Sequence, residues 1–190
     1  MIKIPIEVSA RHIHLSQKDL EAVFGNNYQL KKMRQLTQPS DFATEEILDV
    51  QFGQKILSGI RIVGPTRKET QIELSTTDAV YLGITPKIKK SGDLKGTLGI
   101  TLIGPKNKIE IEEGVIIPWR HIHCNPKEAK ELDLENGMMV SIKIEGNRAL
   151  IFNNVIVRVD DNYKLCMHLD TDEGNAAGIV KKGEGILLKT

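Results

Sequence analysis

The sequence contains the tetrapeptide Arg-His-Ile-His twice, at residues 11–14 and 120–123. Each copy follows an apolar, strand-like stretch and is followed, one residue later, by a side chain that can cap a helix: Ser16 in the first copy and Asn125 in the second. An acidic residue stands three positions after each cap, as in a capping box. We therefore predict two copies of one unit: a strand, a histidine pair and a capped helix.

The two histidine pairs point to metal binding. Alternate side chains of a strand share a face, so the imidazoles of each pair lie side by side, with α-carbons about 6.5–7 Å apart. The chain has five histidines, and His168 is the only one outside the pairs. An isolated His-x-His is more often a polar rim or a hydrogen-bonded core pair. Two copies in matched contexts favour ligands for zinc or a similar ion.

Five histidines fall one short of two catalytic metal sites. A catalytic zinc takes three protein ligands and keeps an open position, so the sixth ligand is expected to be a carboxylate. Glu73 is one candidate, because it points away from the face of Ile72 and Leu74. The others follow His168: Asp170, Asp172 and Glu173. The residues alone leave this choice open.

An arginine and a small loop indicate an anionic substrate. Arg67 follows the Gly64-Pro65 turn on the same predicted hairpin as Glu73, and its planar guanidinium binds phosphate or carboxylate at two points. The loop at 91–96, which begins with Ser91, offers a hydroxyl and backbone N–H groups. The sequence has no Walker loop and no Gly-x-Gly-x-x-Gly after a strand, so nucleotide hydrolysis and dinucleotide binding have no support.

The two cysteines are too few for a disulfide framework and favour a reducing cytoplasm. Cys166 lies two residues before His168, on the same strand face. It is either a further metal ligand or a small buried hydrophobe, and the second interpretation is favoured. Cys124 follows the second histidine pair on the opposite face, so we predict a structural role.

Composition excludes several classes of protein. The net charge of +1 gives no electrostatic reason to expect nucleic acid or an anionic membrane surface as a partner. No apolar run approaches the length of a transmembrane helix. A strand pattern begins at the N-terminus without a leader, so we expect a cytoplasmic protein.

Many short strands separated by turn residues, with only three or four short helices, favour compact β-barrels over a parallel α/β fold. Two similar stretches, 59–65 and 99–105, end in Gly-Pro, and each predicts a β-hairpin. Pro5 predicts that the first strand lies at a sheet edge or a bulge. A closing strand is predicted at 185–189.

Six sequence blocks in one order resemble the phosphotransacylase family of propanediol utilisation, the phosphate propanoyltransferases. The resemblance runs from about Ile4 to Gly178. The blocks are Val-Ser-x-Arg-His-Ile-His-Leu-Ser (8–16), Gly-Pro-x-Arg-Lys-x-Thr-Gln-Ile-Glu (64–73), Ser-Gly-Asp-Leu-Lys-Gly (91–96), Gly-Ile-Thr-Leu-Ile-Gly-Pro (99–105), Arg-His-Ile-His (120–123) and Met-His-Leu-Asp-Thr-Asp-Glu-Gly-Asn-Ala-Ala-Gly (167–178).

The resemblance implies two small β-barrels with a shared metal-containing cleft. One barrel would comprise 11–118, and the other 119–190, completed by the N-terminal strand 1–10. Two zinc ions are implied. The ligands of the first would be His12, His14 and Glu73, and those of the second His121, His123 and His168. Arg67 would bind the phosphoryl group, with Ser91 beside it.

The implied reaction is acyl-CoA plus phosphate to acyl phosphate plus coenzyme A, with propionyl- or acetyl-CoA, by direct transfer. The coenzyme A sulfur would meet the open position of the first zinc. Microcompartment members carry an N-terminal targeting extension, and this chain starts directly with its first strand, so a cytoplasmic enzyme is favoured over one in a microcompartment lumen. The oligomeric state stays open, with a homo-oligomer as one option.

Two other interpretations of the same histidines remain. A two-metal hydrolase of phosphate or acyl esters would use them with a bridging hydroxide. A zinc-stabilised structural or shell-associated protein would close its ligands around each ion and leave no open position.

Overall fold

The computed structural model describes residues 1–188, which form fourteen strands and four short helices. The predicted strand at 185–189 reaches Lys189, which lies outside the described residues, as does Thr190. In chain order the elements are β1 (Lys3–Val8), β2 (His12–His14), α1 (Gln17–Phe24), β3 (Lys32–Gln35), β4 (Phe42–Phe52), β5 (Lys55–Gly64), β6 (Gln71–Glu73), α2 (Thr76–Leu82), β7 (Lys87–Lys89), β8 (Leu98–Ile103), β9 (Lys108–Pro118), β10 (His121–Cys124), α3 (Pro126–Leu132), β11 (Met139–Ile144), β12 (Leu150–Val159), β13 (Cys166–Leu169), α4 (Thr171–Ala177) and β14 (Lys182–Leu188).

The chain divides into two compact units. The central unit comprises Arg11–Leu36 and Asp41–Pro118. Within the described residues, the composite unit comprises Met1–Ala10, Thr37–Ser40 and 119–188. Each unit contains one copy of the histidine tetrapeptide and its capped helix, so the internal repeat in the sequence is distributed over both units.

The composite unit contains a closed barrel of six strands in the order β1-β13-β10-β12-β11-β14. The β1–β13 and β10–β12 pairs are parallel, and the other four pairs are antiparallel. Mostly aliphatic side chains fill the barrel, among them Ile6, Ile122, Ile142 and Met167. Closure pairs every strand on both sides and leaves no open edge.

The predicted edge position of the first strand is wrong. β1 lies inside the closed barrel between β13 and β14. Pro5 is tolerated there because the ladder with β13 begins only at Ile6, one residue further on. A proline without an N–H therefore stands where the parallel ladder has not yet started.

The central unit closes a second barrel of six strands. Its sheet runs through β4, β5, β2, β6 and β9, and β8 pairs with both β9 and β4 to complete the ring. β3 adds to β4 and β7 adds to β9 outside this ring. The mainly β fold with short helices and two small barrels, predicted from the sequence, is thus confirmed.

One of the two predicted hairpins is correct. β8 and β9 pair in antiparallel fashion across the Gly104-Pro105 turn. The strands on either side of Gly64-Pro65 do not pair with each other, because β2 lies between β5 and β6. A local turn pattern cannot report a strand that enters from a distant part of the chain. That insertion brings the first histidine pair next to the segment with Arg67 and Glu73.

The predicted helix starts are confirmed. Ser16 caps α1, and its hydroxyl accepts a hydrogen bond from the backbone N–H of Asp19 at 3.1 Å. Asn125 caps α3 in a reciprocal capping box with Glu128, and Pro126 is the first residue of the helix. Each helix therefore starts directly after a histidine strand, which limits the freedom of that strand's carboxyl end.

None of the helices within residues 1–188 has the length and apolar character needed to cross a membrane.

The barrel core of the central unit can be tested with two isoleucines on the same strand. Ile62 and Ile56 both belong to β5, and their side chains are 0% and 41% exposed. Ile62→Ala should lower the free energy of unfolding by about 2–5 kcal/mol, because it leaves a cavity among packed side chains. Ile56→Ala should cost less than about 1 kcal/mol. Urea unfolding of both variants measures the difference, and equal losses would contradict the described core.

Candidate metal centres and anion site

The first histidine pair faces a carboxylate across a strand ladder. β2 runs antiparallel to β6, with His12 opposite Glu73 and His14 opposite Gln71. Directly opposed residues share a sheet face. The Nε2 atoms of His12 and His14 are 3.1 Å apart, and Nε2 of His12 lies 3.6 Å from Oε2 of Glu73. One ligand atom from each of the three side chains lies within 4.8 Å of the others.

His14 is held in the form that binds metals. Its Nδ1 lies 3.0 Å from the carbonyl oxygen of Val63, which can only accept, so Nδ1 carries the proton and Nε2 presents a lone pair. Burial above all, then the charges of His12 and Arg67, lowers the pKa of His14 well below its ordinary value of 6.5. The imidazole is therefore neutral at neutral pH, as a metal ligand must be.

These distances fit a tetrahedral cation. Two imidazole nitrogens that bind one zinc ion at about 2.0 Å each are about 3.3 Å apart, close to the 3.1 Å between His12 and His14. The Glu73 oxygen at 3.6 Å from His12 supplies an anionic donor on the same side. The central unit thus has a donor set of two nitrogens and one carboxylate.

The second histidine pair meets His168 across another ladder. β10 runs antiparallel to β13, with His121 opposite His168 and His123 opposite Cys166. The ring centroid of His123 lies 4.5 Å from that of His121 and 5.1 Å from that of His168, and the centroids of His121 and His168 are 5.3 Å apart. Nδ1 of His121 donates to the Trp119 carbonyl at 2.7 Å, which leaves its Nε2 as the lone-pair nitrogen. The structure therefore brings the three predicted histidines together within the composite unit.

Arg67 lies next to the group formed by His12, His14 and Glu73. Its backbone N–H donates to the Leu15 carbonyl at 2.8 Å, directly after the histidine strand β2. Its guanidinium donates to Oγ of Ser91 at 3.0 Å and lies 3.9 Å from a carboxylate oxygen of Asp41. The side chain is 33% exposed, so a ligand can reach it. Arg67 and Ser91, both predicted to bind an anion, are therefore in contact.

Comparison with known proteins identifies the family. A family model described as phosphate propanoyltransferase matches residues 5–180. The chain belongs to the phosphate propanoyltransferase family. The resemblance found in the sequence is thereby confirmed, and the family is one of acyltransferases.

Relatives in several bacteria carry the same family name. The chain is 45% identical over 175 residues to the phosphate propanoyltransferase of Thermotoga maritima, and the aligned region covers 92% of this chain and 83% of that protein. It is 46% identical over 176 residues to the Salmonella typhimurium protein, with the same coverage of 92% and 83%. It is 44% identical over 185 residues to the Sebaldella termitidis protein, with coverage of 97% and 87%.

Sequence analysis did not place Gln71 in the site of this phosphate propanoyltransferase. Its amide nitrogen donates to Oε1 of Glu73 at 2.6 Å and to Oγ of Ser91 at 2.8 Å. Its amide oxygen accepts the backbone N–H of Gly92 at 2.7 Å. The side chain is 1% exposed. Gln71 therefore links the carboxylate beside the histidines to the loop that contacts Arg67.

Two of the other carboxylates that the sequence left open, Asp170 and Glu173, have structural partners. Asp170 caps α4, and its carboxylate accepts the N–H of Glu173 at 2.8 Å. Glu173 accepts the N–H of Asp170 in return and lies 3.3 Å from the Arg120 guanidinium. Burial, with the charge of Asp170, raises the pKa of Glu173 to about 7. These groups begin a helix, whereas Glu73 lies beside a histidine pair.

The low pKa of His14 predicts a pH dependence for metal-free protein. A base whose pKa is lowered by folding binds fewer protons in the folded state than in the unfolded state, so the stability it contributes is present above pH 6.5 and is lost as the pH falls toward the folded pKa. Chelator-treated protein should lose stability between about pH 7 and pH 5.5, at up to about 1.4 kcal/mol per pH unit from this group.

Urea unfolding of chelator-treated wild type and His14→Gln over this range is the measurement. The variant should show the shallower fall, since glutamine does not titrate. Identical slopes in the two proteins would contradict the assignment of His14 as a neutral, buried base.

Proposed function

We propose that this chain is a phosphotransacylase that interconverts acyl-CoA and phosphate with acyl phosphate and coenzyme A. Propionyl- and acetyl-CoA are the proposed acyl donors. The observation that carries the proposal is the connection from His12 and His14 through Glu73 and Gln71 to Ser91 and Arg67. It joins a set of potential metal ligands to an arginine whose guanidinium can bind an oxyanion, in a member of an acyltransferase family.

Two zinc ions are proposed as the metals. His12, His14 and Glu73 would hold one, and His121, His123 and His168 the other. The donor chemistry supports this, since neutral imidazoles and a carboxylate are preferred zinc ligands. In addition, the Nδ1–H groups of His14 and His121 each donate to a backbone carbonyl, which leaves Nε2 of each ring available to a metal. When bound, zinc would lower the pKa of the coenzyme A thiol below about 8.5 and offset negative charge on the acyl oxygen.

The side chains around Ser91 can orient phosphate. Arg67 and Gln71 both donate to the Ser91 oxygen, so its own O–H is directed elsewhere and can donate to a phosphate oxygen. The Arg67 guanidinium supplies further donors and a positive charge, which favour the phosphate anion over neutral water as the nucleophile. In this arrangement the protein would hold phosphate in place for attack on the acyl carbon.

The cysteines support direct transfer without an acyl-enzyme. Burial raises the pKa of Cys124 to about 11 and that of Cys166 to about 12. Without a metal, both thiols are therefore protonated at neutral pH and are poor nucleophiles. Both are free and buried, which also suits a reducing compartment such as the cytoplasm.

Phosphate-dependent thiol release is the direct test. Purified, zinc-replete protein should release coenzyme A from propionyl- or acetyl-CoA when phosphate is present and not when phosphate is replaced by sulfate. The reason is that phosphate is the acyl acceptor and water is not. Following the liberated thiol with a chromogenic disulfide gives the rate.

Three results would contradict the proposal. Thiol release that does not depend on phosphate would favour the two-metal hydrolase, and no release from folded, metal-loaded protein would favour the structural protein. An acyl group found on the protein after acid quench would exclude direct transfer.

Arg67 should determine the response to phosphate. Arg67→Ala is expected to raise the KM for phosphate and to lower kcat/KM for phosphate by about 10- to 100-fold, through the loss of charge-assisted hydrogen bonds. Arg34→Ala, at an exposed arginine of β3, is the matched control. Initial rates over a range of phosphate concentrations distinguish the two variants. Unchanged phosphate kinetics in Arg67→Ala would remove this residue from the site.

Gln71 is expected to act as a positioning residue for Glu73. Gln71→Ala should weaken zinc binding by about 10- to 100-fold, because partners that orient a ligand contribute to metal affinity on this scale. Competition with a chromophoric chelator measures the affinity. Gln51→Ala on β4 is the control, since Gln51 hydrogen-bonds only to exposed groups, the Gly53 carbonyl and the Lys108 ammonium. Circular dichroism checks that the variant is folded. Wild-type affinity in Gln71→Ala would show that Glu73 needs no such support.

A further inference from the structure

The first residue of each histidine tetrapeptide is an arginine that the proposed function does not use. Both arginines contact an acidic side chain. In the central unit, a guanidinium nitrogen of Arg11 donates to Oδ1 of Asp78 at 2.8 Å. In the composite unit, a guanidinium nitrogen of Arg120 lies 3.3 Å from Oε1 of Glu173. Both members of each contact belong to the same unit, so each contact concerns one histidine set alone.

The two acids stand at the same place relative to the third ligand of their set. Asp78 comes five residues after Glu73, and Glu173 comes five residues after His168. In both cases the ligand is followed by a buried leucine and then by the N-cap residue of a helix. The acid is the third residue of that helix, α2 in one unit and α4 in the other. The arginine contact is therefore part of the internal repeat.

Each acid divides its two carboxylate oxygens in the same way. Oδ2 of Asp78 accepts the backbone N–H of the cap residue Ser75 at 3.3 Å, and Oδ1 faces the arginine. Oε2 of Glu173 accepts the backbone N–H of the cap residue Asp170 at 3.1 Å, and Oε1 faces the arginine. One acidic side chain thus connects the arginine before a histidine pair to the start of the helix after the third ligand.

The strand ladders explain why the arginines reach these helix starts. β2 and β6 are antiparallel with His12 opposite Glu73, so the residue before His12 lies beside the residue after Glu73. β10 and β13 repeat this arrangement, with His121 opposite His168. Each ladder has three residue pairs, and a short ladder opens easily at its end. The arginine contact adds a side-chain connection at the end where the third ligand is followed by its helix.

We infer that Arg11 and Arg120 are positioning residues for the metal ligands. Each holds the strand of the third ligand, Glu73 or His168, against the histidine pair of its own set. The inference rests on the two proposed zinc sites and adds residues that do not themselves bind the metal. A ligand that is already held in place loses less conformational freedom when the metal binds, so the affinity for the metal is higher.

Zinc affinity measured for one set at a time tests the inference. Two full-length parent variants each retain a single set: His121→Ala/His168→Ala and His12→Ala/His14→Ala. In the first parent, Arg11→Met should weaken zinc binding about 3- to 10-fold, because an ion pair that orients a ligand strand is lost. Arg120→Met should leave that affinity unchanged, since it belongs to the other unit. The second parent should show the reverse, so each arginine is the control for the other. Competition with a chromophoric chelator gives the affinities.

Further variants in the first parent separate positioning from a general loss of structure. Asp78→Asn keeps an oxygen for the cap N–H but loses the charge, and it should weaken zinc binding by a factor similar to that of Arg11→Met. The two changes together should add little, because both remove the same contact. Arg11→Lys should recover most of the affinity, since its ammonium still pairs with the carboxylate. The visible spectrum of bound cobalt, which reports coordination geometry, should change in Arg11→Met while the circular dichroism spectrum does not.

Several outcomes would overturn the inference. They are an unchanged zinc affinity and cobalt spectrum in folded Arg11→Met, equal losses at both sets from one arginine, additive losses for Arg11→Met and Asp78→Asn, and a lysine variant as weak as the methionine variant. A folded parent variant that binds no zinc would instead contradict the proposed zinc site itself, and the inference with it, before any arginine is changed.

Discussion

The register of β2 between β5 and β6 is the constraint on which the site in the central unit depends. It sets His12 opposite Glu73 and His14 opposite Gln71. A slip of one residue would turn both imidazoles into the barrel and Ile13 out of it. That slip is prevented by packing, since Ile13 is fully buried in the core of the central unit. The apolar residue between the two histidines therefore determines where both histidines point.

The second tetrapeptide uses the same principle with other partners. Ile122 is buried in the composite barrel, and the flanking histidines face away from that core, beside His168. The hydrogen bonds differ between the copies: the second histidine of the first pair donates to a backbone carbonyl, and in the second pair the first one does. Each copy thus has one imidazole with a defined tautomer. Because the strands that pair with them differ, identical tetrapeptides lie beside Glu73 in one unit and beside His168 in the other.

Structural features that depend on neighbouring residues could be predicted from the sequence. Features that depend on contacts between distant segments could not. Helix caps such as Ser16 and Asn125 depend on neighbours three residues away, so pattern alone located them. The insertion of β2 between β5 and β6, and the inner position of Pro5, depend on pairings between distant segments. Gln71 was missed for a related reason. Its polar side chain within a buried strand was the available signal, but its three partners are known only once the 91–92 loop is folded against it.

Counting the metal ions that each histidine set retains tests the central claim most directly. Elemental analysis of the full-length chain, purified without added chelator, should find two divalent ions per chain. His12→Ala/His14→Ala and His121→Ala/His168→Ala should each retain one ion and remain folded, because the two sets belong to separate barrels. Folded wild type without stoichiometric metal, or double variants that retain both ions, would contradict the account.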